Sequence, residues 1–326
     1  MKVELLGIHH VSLLTTKAEK NYEFYTKVLG MRLVKKTVNQ DNTSSYHLFY
    51  GDAKANPGTE ITFFDIPHLG TTYPGHSIVS STSFRVATTE SLHYWKNRLK
   101  ELNISHDEII KRANRDTLAF QDYEGTRLIL VADNGEKGVS PGTPWNKSDI
   151  PIVHGILGLG PVTLTVKDSI PTSKTLTEVL GFRLVGTYPS TEGNFASIEV
   201  YETGLGGAGA EVHLEVRPDL PRARPGRGSV HHVAFRVPNE EEYNKWADKL
   251  NSLGITNSGK VERYYFKALY FREPNHILFE LSTDTPGFDL DENIDTLGER
   301  LALPPFLEPK RAEIEASLRP LDFNQN

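Results

Sequence analysis

Apolar and polar positions alternate along most of this chain, and the alternation is interrupted at intervals by a short helical stretch. From Ile8 the order is a strand, IHHVSLLT, a helical segment NYEFYTKVLG closing at Gly30, and then strands RLVKKTV, SYHLFYG and TEITFFDI. Period-two alternation marks half-buried strands, and a glycine after the last helical leucine suits the left-handed position that ends a helix. The predicted unit is βαβββ. It returns three times: from STSFRVA through the helix ESLHYWKNRLKEL to DTLAFQDYEG and TRLILVAD; from VTLTVKD through the helix TSKTLTEVLGFRLVGT to FASIEVYE and AEVHLEVR; and from HHVAFRV through the helix EEEYNKWADKLNSLGI to KALYFREP and HILFELST. Such a unit buries the inner face of its sheet only by pairing with another copy. The expected class is α+β, with four βαβββ modules forming two curved-sheet barrels.

The copies divide the 326 residues into an N-terminal pair of modules (1–132), a linker rich in Gly, Pro, Asn and Asp (133–151), a C-terminal pair (152–285) and a terminal loop and helix (286–326). The basic, proline-rich stretch Arg217–Arg227 reads as a solvated connection between modules three and four. EPKRAEIEASLRPL reads as an amphipathic helix packed outside the sheets.

Composition narrows the function. Hydrophobic residues at 38% are enough for a full core, and a net charge of −6 without runs of like charge argues against a nucleic-acid partner. No apolar stretch approaches the roughly 18 residues of a membrane span, and MKVELLGIHH enters the first strand with no apolar leader. A soluble, cytoplasmic protein with no membrane partner is expected, and a homo-oligomer is compatible with this. Cysteine is absent, which excludes disulfides and thiolate chemistry, so any metal must be held by nitrogen and oxygen.

Candidate chemistry lies in two His-His pairs, His9-His10 and His231-His232, each opening an apolar strand, and in Glu280, which interrupts the apolar strand ILFELST. Burying a lone carboxylate costs several kcal/mol unless a cation compensates it. Two histidines and one carboxylate, with other positions open, form the set used by non-haem Fe(II) oxygenases. Superposing the copies puts Ser81 and Pro161 where His232 stands, and Phe64, Val131 and Glu215 where Glu280 stands. A complete triad therefore draws on modules one and four only, which must face each other, leaving two and three to form a metal-free barrel. Glu215 with His213 is the competing site, but it lacks a partner histidine. Strand parity separates His9 and His231 from His10 and His232 without deciding between them; the smaller, more polar face, with Ser12 and Ala234, points to His10 and His232.

HHVSL, HHVAFRV, ERYYFKALYFREPNHILFELSTDTPGF and LALPPFLEPKRAEIEASL resemble the vicinal oxygen chelate superfamily, and within it the ring-cleaving dioxygenases that act on hydroquinones. The resemblance spans essentially the whole chain. It implies a cytoplasmic oxidoreductase of aromatic-compound catabolism or detoxification that opens a dihydroxybenzene ring with O2. Its cofactor would be Fe(II) on His10, His232 and Glu280, with Mn(II) or Zn(II) as alternative occupants in purified protein. His9 and His231 would serve as proton donor and acceptor, with Tyr270 and Arg263 as catalytic and substrate-binding groups. Ser12, where relatives can carry Thr, would contact substrate. The loop Pro67–His76 departs from the more basic loop of relatives and would border the substrate entrance. The alternatives are a glyoxalase-like metal-dependent lyase or isomerase, which usually takes a fourth, carboxylate ligand, and a non-catalytic protein that sequesters an aromatic drug.

Overall fold

The computed structural model describes residues 3–191 and 197–321. Module one supplies β1 (Ile8–Thr15), α1 (Ala18–Tyr22), β2 (Arg32–Asn39), β3 (Asn42–Gly51) and β4 (Glu60–Asp65). Module two supplies β5 (Ile78–Val86), α2 (Thr89–Glu101), β6 (Ile110–Arg112), β7 (Arg115–Gln121) and β8 (Arg127–Ala132). Module three supplies β9 (Gly158–Val166), α3 (Ser169–Lys174), β10 (Arg183–Tyr188), β11 (Ile198–Glu202) and β12 (Glu211–Val216). Module four supplies β13 (Val230–Val237), α4 (Glu240–Ser252), β14 (Val261–Glu262), β15 (Phe266–Arg272) and β16 (Leu278–Pro286). Phe195 and Ala196, at the start of the predicted strand FASIEVYE, lie outside the described residues. Strands β6 and β14 were not anticipated, because two or three residues are too few for alternation to show.

In modules one and three the helix widens into a π turn, Glu23–Val28 and Thr175–Val179, before Gly30 and Gly181 adopt φ of 69° and 77°. The third helix stops there. RLVGTY, grouped with it in the sequence reading, is strand β10, since a residue in the left-handed region cannot continue a helix.

Strands run in the order β14-β15-β16-β13-β1-β4-β3-β2 in one sheet and β10-β11-β12-β9-β5-β8-β7-β6 in the other. Modules one and four therefore share a sheet, and so do two and three, as the ligand argument required. The seams β1–β13 and β5–β9 are antiparallel, while β1–β4 and β13–β16 pair in parallel. α2 packs on β7 and β8, and α4 on β13, β15 and β16, burying Trp95 and Trp246 completely. Thr88 and Asn239 cap these helices by accepting from the N–H of Ser91 and Glu242.

Two stretches read separately in the sequence run against each other. Tyr73 and Arg224 exchange both backbone hydrogen bonds at 3.0 Å, and a Cβ at Gly75 would lie 2.1 Å from the Pro221 carbonyl oxygen. The Pro67–His76 loop is thus stitched to the Arg217–Arg227 connection. The C-terminal segment does more than pack outside. Phe288 and Leu297 join Val34, Phe49, Tyr265 and Phe266 in a buried cluster. Asp291 (2.7 Å) and Glu292 bind the fully buried Lys35 ammonium, which would otherwise be an uncompensated interior charge. α5 (Arg311–Ser317) buries Ile314 and lies against β3.

Each half of the chain gives one module to each sheet. Residues 1–150 expressed alone should therefore lack a cooperative unfolding transition and slow-exchanging amides in β1 and β5, and co-expression with 151–326 should restore both. A cooperative transition in the isolated fragment would mean that modules one and two pair with each other.

Candidate metal centre

The centre is assembled across the β1–β13 seam. His10 is in register with Ala234, and Ala234 with Glu280, so one row of adjacent strands carries His10 and Glu280 on the same face. His232, two residues before Ala234, shares that face and stands opposite Ser12. Their side chains converge. His232 Nε2 lies 2.7 Å and His10 Nε2 3.4 Å from Glu280 Oε2, and the two Nε2 atoms are 3.2 Å apart. All three residues are buried, and among the described residues no other three such side chains come together this way.

The outer histidines sit at irregularities of the seam. Its register shifts between Ile8 and His10 and again between Ser12 and Leu13, opposite His232 and Val230, leaving His9 and His231 unpaired. A bulged residue is released from strict alternation, which is why parity could not assign these rings. His9 Nδ1 lies 3.0 Å from His10 Nδ1, and His231 Nδ1 2.8 Å from His232 Nδ1. His9 Nε2 is also 3.1 Å from the Thr283 carbonyl oxygen, which can only accept. Burial and the neighbouring His10 lower the His9 pKa well below the ordinary imidazole value, so the ring is neutral. It therefore carries its one proton on Nε2 and accepts from His10 Nδ1, an arrangement that turns His10 Nε2 toward the carboxylate.

Two imidazole nitrogens and a carboxylate oxygen brought this close need a shared positive charge, from a proton or a metal ion. Glu280 Oε2 has no properly directed hydrogen bond, while Oε1 accepts from Ser282 at 2.6 Å. Burial alone would raise the Glu280 pKa, but His10 and His232 outweigh it and hold the group well below the usual carboxylate range. Donor separations of 2.7–3.4 Å compare with about 3 Å for two ligands each about 2.1 Å from a metal and at right angles. The nitrogen and oxygen donors present fit a divalent first-row ion.

The adjoining pocket is lined by Ser12, His47, Phe64, Arg263, Phe266 and Tyr270, among others. Arg263 is not free: its guanidinium forks onto Asp41 at 3.1 and 2.9 Å, and Nε donates to the Tyr270 hydroxyl at 3.3 Å. Burial and the nearby Glu280 raise the Tyr270 pKa, keeping the phenol protonated. Burial and His232 pull His231 down to about 3, although its outer edge meets solvent. Sequence reasoning missed His47 and Thr62; the available signal was a histidine sharing the Ser45–Phe49 parity in an otherwise apolar strand.

Strand register also corrects the superposition of the copies. Two residues beyond His10, Ser12 pairs with Thr62, as Ala234, two beyond His232, pairs with Glu280. Ser83 pairs with Ile129 and Thr163 with His213 in the same way. The equivalents of Glu280 are therefore Thr62, Ile129 and His213, in place of Phe64, Val131 and Glu215. A slip of two keeps every side chain on its face, so the sequence pattern could not detect it. In the second barrel, His213 is tied to Glu211 (3.0 Å) and Tyr188 (3.0 Å), and Glu215 accepts from Thr165 at 2.9 Å. That barrel holds a polar cavity of about 320 Å³ but no metal-type triad among the described residues.

The family model described as "Glyoxalase/Bleomycin resistance protein/Dioxygenase superfamily" matches residues 7–130 and 158–281. A protein of Bacillus subtilis (strain 168) named "Putative ring-cleaving dioxygenase MhqA" is 57% identical over 321 residues, covering 98% of this chain and 100% of that protein. The "Chlorohydroquinone/hydroquinone 1,2-dioxygenase" of Sphingobium indicum (strain DSM 16413 / CCM 7287 / MTCC 6362 / UT26 / NBRC 101211 / UT26S) is 28% identical over 319 residues, covering 94% of each chain. Among solved structures, the crystal structure of a "putative dioxygenase" from Bacillus subtilis subsp. subtilis str. 168 superposes with a TM-score of 0.89 at 33% identity, covering 100% of both chains.

Replacing Glu280 with Gln removes the only anionic side chain of the triad, and metal content after desalting should fall well below that of the wild type; unchanged content would remove Glu280 from the ligand set. Ligands bind metal only when deprotonated, and the pKa values of His232 (lowered by burial) and Glu280 are both depressed. The deprotonated forms of these two ligands thus persist to lower pH, and metal should be released only on acidification, measurable by equilibrium dialysis.

Proposed function

Because this chain belongs to the glyoxalase/bleomycin resistance protein/dioxygenase superfamily and is a ring-cleaving dioxygenase, we propose that it opens hydroquinone-type rings with Fe(II) held by His10, His232 and Glu280. The observation that carries the reading is the convergence of His10 Nε2, His232 Nε2 and the buried Glu280 Oε2 within 2.7–3.4 Å of one another. A cysteine-free set of two histidines and one carboxylate suits non-haem Fe(II) oxygen chemistry. The name of the Sphingobium relative supports the hydroquinone class. At the Glu280 position of module one stands Thr62, a hydroxyl, where a lyase of this fold would use a second carboxylate.

Bound Fe(II) would bring a substrate phenolate and O2 together and allow electron density to pass between them. The chain supplies the proton chemistry. His231 Nδ1 lies 2.8 Å from His232 Nδ1, and its ring reaches the rim of the site, where it can exchange a proton with solvent. His9, locked to Thr283, orients His10 and can accept a proton only by giving up that arrangement. Tyr270 accepts from Arg263, and its protonated hydroxyl lines the pocket beside Glu280, where it can turn to a substrate oxygen. The Asp41–Arg263 pair ties the β2–β3 hairpin to module four and closes the pocket on that side.

Iron-loaded protein should consume one O2 per hydroquinone, with loss of aromatic absorbance and both atoms of isotope-labelled O2 in an acyclic product; an intact ring, or no O2 uptake, would overturn the reading. Substituting Ala for His9 or His231 should lower turnover by about 10²–10⁴-fold while iron content stays near wild type, the range for loss of general acid–base help. If those variants instead lose iron while His10→Ala and His232→Ala retain it, the ligand assignment is wrong.

A further inference from the structure

A hydrogen-bonded run of side chains beside the triad is left unused by the reading above. Ser12 Oγ lies 2.8 Å from Thr62 Oγ1, and Thr62 Oγ1 lies 2.9 Å from His47 Nε2. Ser12 stands between His232 on one neighbouring strand and Thr62 on the other, so the run starts at the triad's edge. The His47 ring lies close to Phe49 and Phe64, with centroids 4.0 and 4.1 Å away. Burial, with His10 and His232 nearby, lowers its pKa well below the ordinary imidazole value. His47 is therefore neutral and owns one ring proton.

Each hydroxyl also owns one proton, so the run has two directions. With the ring proton on Nε2, His47 donates to Thr62, Thr62 donates to Ser12, and the Ser12 proton is free for another acceptor. With the ring proton on Nδ1, every bond reverses and Ser12 offers lone pairs alone. Among the described residues His47 Nδ1 makes no hydrogen bond, whereas Nε2 has the Thr62 oxygen as acceptor; which nitrogen is protonated follows from the bonds the ring can make. We propose that His47, acting through Thr62, turns the Ser12 hydroxyl proton toward an oxygen of the bound aromatic substrate. His47 and Thr62 are positioning residues, and Ser12 is the group that touches substrate. The substrate part of this rests on the hydroquinone reading; the direction of the run does not.

Two measurements on the full-length chain decide it. In Zn(II)-loaded, ¹⁵N-histidine-labelled protein, His47 should show the Nε2–H tautomer, and the Nδ1–H tautomer would overturn the proposal whatever the substrate is. In the iron-loaded enzyme, His47→Leu and Thr62→Val should each lower kcat/KM for hydroquinone about tenfold, the scale of one hydrogen bond to a charged oxygen, with metal content unchanged. Thr62→Ser and His47→Gln, which keep a donor, should recover most of the loss. Adding Thr62→Val to Ser12→Ala should cause no further loss, because the run then has no end to orient; additive losses, or wild-type kinetics in Thr62→Val, would overturn the proposal. If wild-type enzyme does not turn over hydroquinone, the function reading fails by itself and the tautomer still decides the run.

Discussion

The antiparallel register of β1 against β13 is the constraint on which the site depends. It places Ser12 opposite His232 and His10 opposite Ala234, and the parallel β13–β16 pairing then sets Glu280 beside Ala234. A one-residue slip would turn the histidines to the opposite face. The two bulges, at His9 and His231, are part of the same device. Each frees a ring that would otherwise point away, so that it reaches Nδ1 of its neighbour, whose Nε2 faces Glu280.

Electrostatics follow from that geometry. Burial lowers the pKa values of His9, His47 and His232, and Glu280 is the one anionic side chain of the triad. A divalent ion there would retain an excess positive charge, which favours an anionic substrate oxygen in an open position. A carboxylate in place of Thr62 would cancel that excess and occupy a ligand position. A hydroxyl at Thr62 leaves both the charge and the space, and adds a hydrogen-bonded link to Ser12. Elsewhere the chain treats interior charge differently: Lys35 is neutralised by two carboxylates from the C-terminal segment, under the Tyr265 ring, and takes a structural role.

Much of this was visible in the sequence for identifiable reasons. The four modules show because each strand alternates and each helix of modules one and three ends in Leu-Gly. The pairing of modules one and four follows from chemistry, since only those copies carry His10, His232 and Glu280. Three features were hidden. A two-residue offset between copies preserves every face, so the pattern aligns Phe64, Val131 and Glu215 with Glu280 in place of Thr62, Ile129 and His213. Bulges follow from ladder pairing, which a single strand's pattern does not contain. The Asp41–Arg263 pair and the clamp on Lys35 join residues more than two hundred positions apart, with no periodicity to connect them.

The second barrel separates the requirements of the fold from those of the chemistry. It repeats the strand order and the antiparallel seam, yet Ser81 and Pro161 stand where the first barrel has His10 and His232, and His213 where it has Glu280. His213 is satisfied by Glu211 and Tyr188, and Glu211 in turn by a two-bond fork from Arg115. A closed network of this kind meets the polar requirements of a sheet interior without any ion. The first barrel instead aims two imidazole nitrogens at one buried carboxylate oxygen that has no well-directed hydrogen bond. On one scaffold, then, the difference between a structural barrel and a metal-binding one lies in whether the strand-opening polar groups satisfy each other or are held apart for something else.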